Sequence, residues 1–590
     1  MQHNNQYTAN ILLISVGGVI TQFLEKSESG ISSLVNADIN KLRKKIIGSD
    51  ENHLELYESN TKAIIRVHFE ELGSKFIGLE ERDSAQVNPK IWASIVSKIQ
   101  KNSKDFNGFV VLHGLDTLAY TASAVSFMIR NPNFPIVFTG SQRGLNFVRS
   151  DAPQNIFNAI TIAAGKALGL TPIHEVTIFL HDTLYRGNRT SMSSATSYKA
   201  FTSLNYPPLA SVGEHIDIAT HLINKTNEQA TNFYENTDAK VEIIDVFPGM
   251  TAGVIEGLID DDSDVIFLER LKEYAKELEN QSIDEGEPNI EINEICSFID
   301  DMIINISKQN QFSRLIDMLS DELKTKAKEI IDILEKRINV KKKKVAGVIL
   351  RTYGMGTAPT SPDVLTALNK LHESGVFIQN VTQAHSSRVS FNADPVSLRL
   401  YENGIISGLD MTAESAFSKM VTILSNPKNI SKGKDFCENK LQENISGEQS
   451  QSIKSFHFKK GKVTENDYMN DNFFFKKLEP TSSKDFEFQD INRIKNIQLR
   501  ILGLKKESNG IEIILRFFKT DEDSKDLDYS NSTEIIKRKR IPWNKKKGSI
   551  NESFNITDNK KNIFGKDSFF FISSDNNFSW KKISLQVYYK

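Results

Sequence analysis

Three observations predict an α/β fold with a parallel sheet and helices on both of its faces. Short apolar runs recur in the first 210 residues, segments with helical spacing lie between them, and each run ends in a polar or glycine-rich turn. Short strands that alternate with helices form parallel sheets, because each connection must cross the sheet. Parallel sheets carry function at the carboxyl ends of their strands, so these turns are the first place to look for a site.

The larger predicted domain contains four clear strands and two clear helices. The strands are Ile11–Ser15, Phe109–Leu112, Ile136–Thr139 and Val176–Leu180. They end at Gly17-Gly18, His113-Gly114, Gly140 and His181-Asp182, respectively. The helices are Pro89–Lys101 and Ala119–Arg130.

A second, smaller α/β unit follows in the sequence. Its predicted strands are Lys240–Phe247, Val345–Arg351 and Gly375–Asn380. The first two are separated by Asp260–Lys344, which is rich in Glu, Lys and Asp, and Phe312–Lys336 within it has helical apolar spacing. We expect a solvated helical insertion there, with a partner-binding helical hairpin as the alternative.

Beyond Asn444 the composition changes, and Lys, Asn, Ser and Phe dominate. Strands are predicted at Ile497–Leu502, Gly510–Phe518 and Ile583–Tyr589, so this extension is a small β-rich domain or is partly disordered. The basic run Ile536–Arg540, followed by Lys545–Lys547, is expected to lie in a solvated loop. A nuclear address or a patch for an anionic surface is the alternative.

Composition restricts the possible classes of function. The 590 residues are 39% hydrophobic and 25% charged, and the net charge of -2 gives no electrostatic argument for binding nucleic acid. The two cysteines, Cys296 and Cys437, are far apart, which argues against a disulfide framework and favours a reducing, cytoplasmic location. The polar start Met1–Asn10 lacks the basic residue of a signal peptide. No apolar run reaches the roughly 18 residues that a membrane span requires.

Seven blocks, in order along the chain, carry a specific resemblance. They are Ile11–Ile20, Gly108–Ser123, Thr139–Gln142, Ser150-Asp151, Leu184–Thr190, Ile349–Gly356 and Asp410–Glu414. The first resembles a strand that ends in Thr-Gly-Gly-Thr-Ile, and the second resembles the signature His-Gly-Thr-Asp-Thr. Together they resemble the asparaginase/glutaminase family, and the later blocks look like its intracellular, type I branch.

The resemblance implies an N-terminal α/β domain over residues 1–210 and a smaller one over 240–440, the latter with the helical insertion 260–344. Residues 445–590 form an extension of unknown fold. The resemblance also implies a homodimer or homotetramer and a small amino-acid ligand, asparagine or aspartate. Neither a cofactor nor a metal is implied, and the sequence shows no metal-ligand cluster or phosphate loop.

In the family, a Thr in the first signature attacks the side-chain amide, and a Thr-Asp pair with a Lys handles the protons. An attacking hydroxyl needs a base beside it, and the leaving ammonia needs a proton. The attacking Thr falls at Val19, the Thr of the pair at Leu115 and the Lys at Met192. The first Thr of the first signature is Val16, and an Asn expected after Gly-x-Gly is Thr357.

Two elements of the family site remain. Asp116 keeps the acidic position of the second signature, and Asp83-Ser84 matches the turn that holds the α-carboxylate of the substrate. Without the Lys, Asp116 loses its counter-charge in what we expect to be a partly buried place. Valine has nearly the shape of threonine but no hydroxyl, so Val19 preserves packing and cannot form an acyl-enzyme.

Other groups near these positions are expected to be structural. Ser15, Thr21, Thr117 and Ser191 are taken as turn or helix-capping residues, and His113 as a structural histidine before its glycine; Lys199 follows the segment of Met192. Losing a nucleophile costs roughly a million-fold in turnover. The sequence therefore predicts a pseudoenzyme, inactive or strongly impaired in asparagine hydrolysis. The alternatives are an active asparaginase with a rebuilt site and a scaffold that acts through its C-terminal extension.

Overall fold

The structure is a computed structural model that describes residues 8–26, 32–36, 38–48, 53–58, 60–72, 83–224, 229–258, 345–390 and 395–458. In the extension it also describes the backbone of the strands given below. The insertion predicted at Asp260–Lys344, including Phe312–Lys336, lies outside these residues, and so does Lys545–Lys547.

A nine-stranded, mostly parallel sheet forms the centre of the larger domain. Its strands follow the order Ile216–Ile218, Ala210–Val212, Thr183–Arg186, Val176–Leu180, Ile136–Thr139, Gly108–Leu112, Ala9–Ser15, Thr61–Glu71, His53–Glu58. The five strands from Val176–Leu180 to Thr61–Glu71 run parallel, and those outside them are antiparallel. The central strands are buried along their whole length, as the continuous apolar runs in the sequence indicate.

The four strands predicted for this domain are confirmed, but one predicted helix ends elsewhere. Helix Pro89–Asn102 begins after Asn88, whose side chain accepts a hydrogen bond from the Lys90 backbone N–H at 3.0 Å. The helix predicted at Ala119–Arg130 is Leu118–Met128, so its predicted end is wrong. Residues 129 and 130 leave the helix because they pair as a short strand with Asn232–Phe233.

A separate four-stranded parallel sheet follows, which confirms the second α/β element. Its strands are, in spatial order, Val241–Asp245, Gly347–Thr352, Phe377–Thr382 and Ile406–Ser407. The other described α-helices are Ile39–Ile47, Ala152–Ala163, Gly253–Glu256, Pro362–Glu373, Pro395–Glu402, Ala413–Leu424, Pro427–Ile430 and Lys434–Gln442. None of the helices in the described part of the chain is long and apolar enough to cross a bilayer.

Among the described residues, 247–258, 345–346 and 359–376 cluster as a compact unit of their own. Its described helices are Gly253–Glu256 and Pro362–Glu373. The other described residues, including both parallel sheets, cluster as the other unit.

Residues 444–450, which we call the strap, are anchored on buried ion pairs. The strap's Glu448 pairs with Lys419 at 2.7 Å, and neither side chain is exposed at all. Arg189 donates to the Gly447 carbonyl at 2.7 Å and to Asp410 Oδ2 at 2.8 Å, while the Ser450 N–H donates to Asp410 Oδ1 at 2.9 Å. The strap therefore lies against the block Leu184–Thr190 and the helix Ala413–Leu424.

The extension contains two antiparallel sheets. One has the strands Ser452–Phe458, Lys582–Tyr589, Ile494–Lys506, Phe578–Trp580 and Gly461–Val463, with Ile550–Asn555 paired to Ile494–Lys506. The other has the order Tyr468–Asn470, Phe473–Lys477, Ser568–Ser574, Ile511–Lys519, Thr533–Ile541. The loop expected for the basic run Ile536–Arg540 is wrong, because this segment is part of the edge strand Thr533–Ile541. Pairing with Ile511–Lys519 satisfies the backbone groups along one edge of this strand.

Candidate active site

Two glycine turns touch at the carboxyl ends of neighbouring strands. Ala9–Ser15 leads into Gly17 and Gly18, which have φ angles of 135° and 86°, conformations that favour glycine. A Cβ at Gly18 would lie only 2.3 Å from the Cα of Gly114, in the turn after Gly108–Leu112. Only glycine allows this approach, so the first and second signatures are in direct backbone contact.

The turn of Asp83 and Ser84 is the third part of this cluster. The Asp83 side chain accepts a hydrogen bond from the Ala85 N–H at 2.9 Å and so caps the single helical turn Ser84–Gln86. Ser84 is 5% exposed, and its hydroxyl donates to Asp116 Oδ2 at 3.1 Å. A Cβ at Gly114 would lie 2.5 Å from Ser84 Oγ. The two retained family positions, Ser84 and Asp116, are thus direct neighbours.

Asp116 is more open than its sequence position suggested. The expectation of a partly buried carboxylate is wrong, since Asp116 is exposed. The reason is that residues 115–117 form the turn between the strand Gly108–Leu112 and the helix Leu118–Met128, where the chain reverses at the surface of the domain.

Sequence reasoning missed the role of Thr117. It stands in the capping position of the helix Leu118–Met128, but its side chain makes no capping hydrogen bond. Its hydroxyl donates instead to the Ser84 carbonyl at 2.7 Å. This bond ties the second signature to the Ser84 turn; the one signal for it in the sequence was its place immediately after Asp116.

Val19 and Leu115 each follow a glycine of the two touching turns, Gly18 and Gly114. Val19 follows Gly18 directly, opens the helical turn Val19–Thr21 and is partly buried. Leu115 is 8% exposed, and its Cδ2 lies 2.6 Å from the position that a Cβ on Gly140 would occupy. Leu115 therefore packs over the turn after the next strand, Ile136–Thr139, and presents no polar atom in its side chain.

Met192 lies on a different element. It is partly buried in the two-residue strand Ser191–Met192, which pairs with Phe201–Thr202. The hydroxyl of its neighbour Ser191 donates to Glu414 Oε2 at 3.0 Å. Ser84, Asp116 and the two glycine turns are joined by the Ser84–Asp116 hydrogen bond and by the close approaches at Gly18 and Gly114. Met192 is instead positioned by the pairing of Ser191–Met192 with Phe201–Thr202.

His113 is fully buried beneath the site. Its Nδ1 lies 2.7 Å from the Gly114 carbonyl, while Nε2 is buried without a hydrogen-bond partner. Burial lowers the pKa of His113 to about 4, although the Gly114 carbonyl and Asp116 oppose this shift. The ring is therefore neutral at physiological pH, with the Nδ1–H donated to Gly114.

The other hydroxyls near the signatures are occupied or buried. The Thr21 hydroxyl donates to the Gly18 carbonyl at 2.9 Å and fixes the turn that carries Val19. Ser15 is buried at the end of its strand. Lys199 Nζ lies 4.0 Å from Asp182 Oδ1, and the Lys199 side chain is exposed. Within the described ranges, no group of three or more His, Cys, Asp and Glu side chains could hold a metal ion.

The block Thr139–Gln142 is held by the block Ser150-Asp151. The Asp151 carboxylate accepts hydrogen bonds from the N–H groups of Gln142 and Arg143 at 3.0 and 3.1 Å. Asn155 then donates to the Gly140 carbonyl at 2.9 Å. These bonds fix the turn against which Leu115 packs.

Comparison with known proteins gives the same family as these turns. The profile described as "Asparaginase, N-terminal" matches residues 10–224, and "Glutaminase/Asparaginase C-terminal domain" matches residues 240–436. The two matches cover more than half of the chain. The chain belongs to the asparaginase/glutaminase family. L-asparaginase 1 of Escherichia coli K12 is 28% identical over 343 residues, which are 58% of this chain and 76% of that protein.

Other relatives with different names are also similar. The 60 kDa lysophospholipase of Mus musculus is 27% identical over 58% of this chain and 46% of its own length. One subunit of the glutamyl-tRNA(Gln) amidotransferase of Methanobrevibacter smithii is 23% identical over 76% of this chain and 79% of its own length. The family match therefore does not by itself specify a substrate.

Solved structures share the fold. L-asparaginase I from Vibrio cholerae superposes with a TM-score of 0.51 at 26% identity, over 75% of this chain and 99% of the other. The thermostable L-asparaginase from Thermococcus kodakarensis gives the same TM-score at 22% identity, with the same coverage. The two-domain asparaginase fold expected from the seven blocks is thus confirmed.

Proposed function

We propose that this asparaginase-family protein binds a small amino acid and hydrolyses amides poorly or not at all. The observation that carries the proposal is the hydrogen bond of 3.1 Å between Ser84 and Asp116. The pair offers a hydroxyl and a carboxylate for the polar groups of an amino acid. The positions that match the family's attacking Thr and its Thr partner carry side chains without a hydroxyl, and the Lys position is Met192.

Hydrolysis of asparagine requires that a nucleophile attack the amide carbon and that the departing ammonia receive a proton. Val19 has no atom that can form the acyl bond. The side chains of Met192 and Leu115 can neither accept a proton from a nucleophile nor donate one to ammonia. An enzyme loses nearly all of its activity when one member of a group of cooperating catalytic residues is removed. With all three positions replaced, we expect turnover near the uncatalysed background.

The direct test is ammonia release from asparagine and glutamine, with the triple variant Val19→Thr, Leu115→Thr, Met192→Lys beside the wild type. We expect no measurable release from the wild type and some from the triple variant, whereas each single variant stays near background. A wild-type turnover number on the order of 1–1,000 per second would contradict the proposal.

Binding is tested separately by calorimetry of the full chain with asparagine and aspartate. Ser84→Ala removes one charge-assisted hydrogen bond and should weaken binding by roughly 1.5–3 kcal/mol. Ser94→Ala is the matched control, because that hydroxyl bonds to the Lys90 carbonyl within its own helix at 3.0 Å. Equal affinity in both variants, or no amino-acid binding by the wild type, would refute a retained binding role for this turn.

An active enzyme with a rebuilt site is the second candidate, and one observation favours it. Ser84 is a hydroxyl with a carboxylate partner, the arrangement in which a base activates a nucleophile. In that case the wild type releases ammonia, and Ser84→Ala and Asp116→Asn each abolish the release while Ser94→Ala does not. The cytoplasmic location, the homo-oligomer and membership of the type I branch remain proposals of the family resemblance.

A further inference from the structure

We propose that one face of the five-stranded sheet in the extension binds single-stranded nucleic acid. The strands of this sheet follow the order Tyr468–Asn470, Phe473–Lys477, Ser568–Ser574, Ile511–Lys519, Thr533–Ile541. Their register brings aromatic and basic residues together on one face. This function belongs to the extension and does not depend on amino-acid binding at the turn of Ser84.

The pairing of the strands fixes which residues share a face. Residues directly opposite each other on neighbouring strands lie on the same face, and successive residues of one strand lie on opposite faces. Phe475 is opposite Tyr468 on one side and Ser573 on the other. Ile514 is in turn opposite Ser573 and Arg538. One row of residues therefore crosses the whole sheet and defines a face, which we call the aromatic face.

The aromatic face combines rings with positive charges. In the three central strands it carries the aromatic residues Phe473, Phe475, Phe518, Phe569 and Phe571. Its basic residues are Lys477, Arg516, Arg538 and Arg540. In the register, Phe571 lies between Lys477 and Arg516. Within the described strands of this sheet, Glu512 is the one acidic residue on the aromatic face.

The opposite face of the same sheet is mainly aliphatic at its centre. Its residues in two adjacent central strands include Ile511, Ile513, Leu515, Phe517 and Ile572. An antiparallel sheet commonly packs one face on a core and leaves the other towards solvent. The gain from burying aliphatic groups assigns the aliphatic face to the core and the aromatic face to a ligand.

Single-stranded nucleic acid has the two kinds of group that this face fits. Its unpaired bases stack on aromatic rings, and its phosphates are attracted by Lys and Arg. A sheet face on which rings alternate with positive charges serves both along one strand of nucleic acid. A duplex keeps its bases stacked on one another, so it can use the positive charges but not the rings.

The distribution of charge along the chain agrees with a polyanionic ligand. Residues 445–590 contain 28 Lys and Arg against 20 Asp and Glu, although the whole chain has a net charge of -2. The extension is therefore positively charged, and the rest of the chain is negatively charged. Such an asymmetry favours a polyanionic partner for the positive part. Charge alone would equally attract an anionic membrane or an acidic protein, whereas the rings favour unpaired bases.

The test is fluorescence anisotropy of the full-length protein with labelled oligo(U) and oligo(dT) at several salt concentrations. We expect binding that weakens as the salt concentration rises, because contacts with phosphates release counterions. A DNA duplex of the same length should bind more weakly than either single strand. Vesicles of phosphatidylserine and phosphatidylcholine, and polyglutamate, are the competing anionic partners in the same assay.

Two double variants in one strand remove the same charge from different faces. Arg538→Gln with Arg540→Gln changes the aromatic face, and Lys537→Gln with Lys539→Gln changes the opposite face. The arginine variant should weaken binding about ten-fold at physiological salt and reduce the slope of log affinity against log salt by roughly 0.7 for each lost contact. The lysine variant should leave the affinity and the slope nearly unchanged.

A second comparison tests stacking. Phe571→Leu keeps an apolar residue in the strand but removes a ring from the aromatic face, so it should weaken binding by at least about five-fold. Phe570→Leu is the matched control, because its neighbouring position lies on the opposite face. Thermal melts of every variant check that the fold is intact.

The inference is overturned if neither oligonucleotide binds, or if the arginine and lysine variants lose affinity equally. Equal affinity for duplex and single strand overturns it too, because the rings would then contribute nothing. Binding of the vesicles or of polyglutamate as tight as that of oligo(U) would show that charge alone accounts for the interaction. None of these results bears on amino-acid binding at the turn of Ser84, so the two proposals fail independently.

Discussion

At the scale of single residues, the buried histidine beneath the site links folding to pH. The ordinary pKa of a histidine is 6.5, and burial lowers that of His113 to about 4. Between these values the unfolded chain binds a proton that the folded chain does not. Above pH 6.5 His113 therefore does not reduce the free energy of unfolding. As the pH falls from 6.5 towards 4, the free energy of unfolding decreases because only the unfolded chain binds the proton.

We predict that His113→Gln flattens this part of the pH dependence. The wild type should lose up to roughly 3 kcal/mol between about pH 6.5 and 4 through this one residue, and the variant should lack that loss. Urea unfolding of both proteins at several pH values measures the difference. His385→Gln, at an exposed position, should keep the wild-type slope; a His113 variant with the wild-type slope would show that the ring is accessible to protons.

At the scale of elements, the strap 444–450 depends on an ion pair that is removed from water. Burial raises the pKa of Glu448, but Lys419 and the N–H groups of Ile445 and Ser446 lower it more, so its pKa is below the ordinary value. The Lys419 ammonium also donates to the Glu443 carbonyl at 2.5 Å. A charge that loses its partner in such a place has no water to replace it.

We predict that Lys419→Met lowers the free energy of unfolding by about 3–5 kcal/mol, as measured by urea denaturation. Adding Glu448→Gln should restore part of this loss, because it removes the unpaired charge and retains an acceptor for the strap. Lys62→Met is the control, since Lys62 and Glu55 form a pair at 2.8 Å with side chains 46% and 44% exposed. An exposed pair contributes only about 0–1 kcal/mol. Similar losses in both single variants would mean that the strap opens readily.

At the scale of the whole molecule, the insertion between two paired strands is dispensable in our interpretation. Val241–Asp245 and Gly347–Thr352 are adjacent parallel strands, with Asp245 opposite Arg351 in register. Parallel neighbours need a crossover of about a dozen residues, and residues 246–258 already provide that length. Long insertions in such a connection cost little loop entropy.

We therefore predict that replacing residues 260–344 by a short Gly/Ser linker leaves a folded protein with one cooperative unfolding transition. Circular dichroism and urea denaturation of the shortened and full chains provide the measurement. Loss of cooperative unfolding on excision would show that the insertion packs into the core. Replacing residues 444–450 by a linker of equal length is the contrasting case, and it should destabilise strongly because Lys419 loses its buried partner Glu448.

The sequence by itself determined four of the nine described strands of the larger sheet, the order of the family blocks and the residue types at the family's site positions. Continuous apolar runs identify buried parallel strands because both faces of such strands are covered. The sequence alone shows that Val19 and Leu115 stand where the family signatures have Thr, and that these side chains lack a hydroxyl. The same local patterns missed the end of the helix Leu118–Met128 and the strand that contains the basic run. In both cases pairing with a distant strand sets the secondary structure. Asn232–Phe233 pairs with residues 129–130, and Ile511–Lys519 pairs with the strand that contains the basic run.

Only the tertiary structure decided which of these residues meet. Ser84 and Asp116 are 32 positions apart, and Ser84 reaches the turn of Asp116 because residue 114 is glycine, where a Cβ would lie 2.5 Å from Ser84 Oγ. The exposure of Asp116, the bond from Thr117 to Ser84 and the burial of the strap's Glu448 likewise depend on segments brought together from far along the chain. Burial and hydrogen bonding are properties of such contacts, so no pattern within a short stretch of sequence contains them.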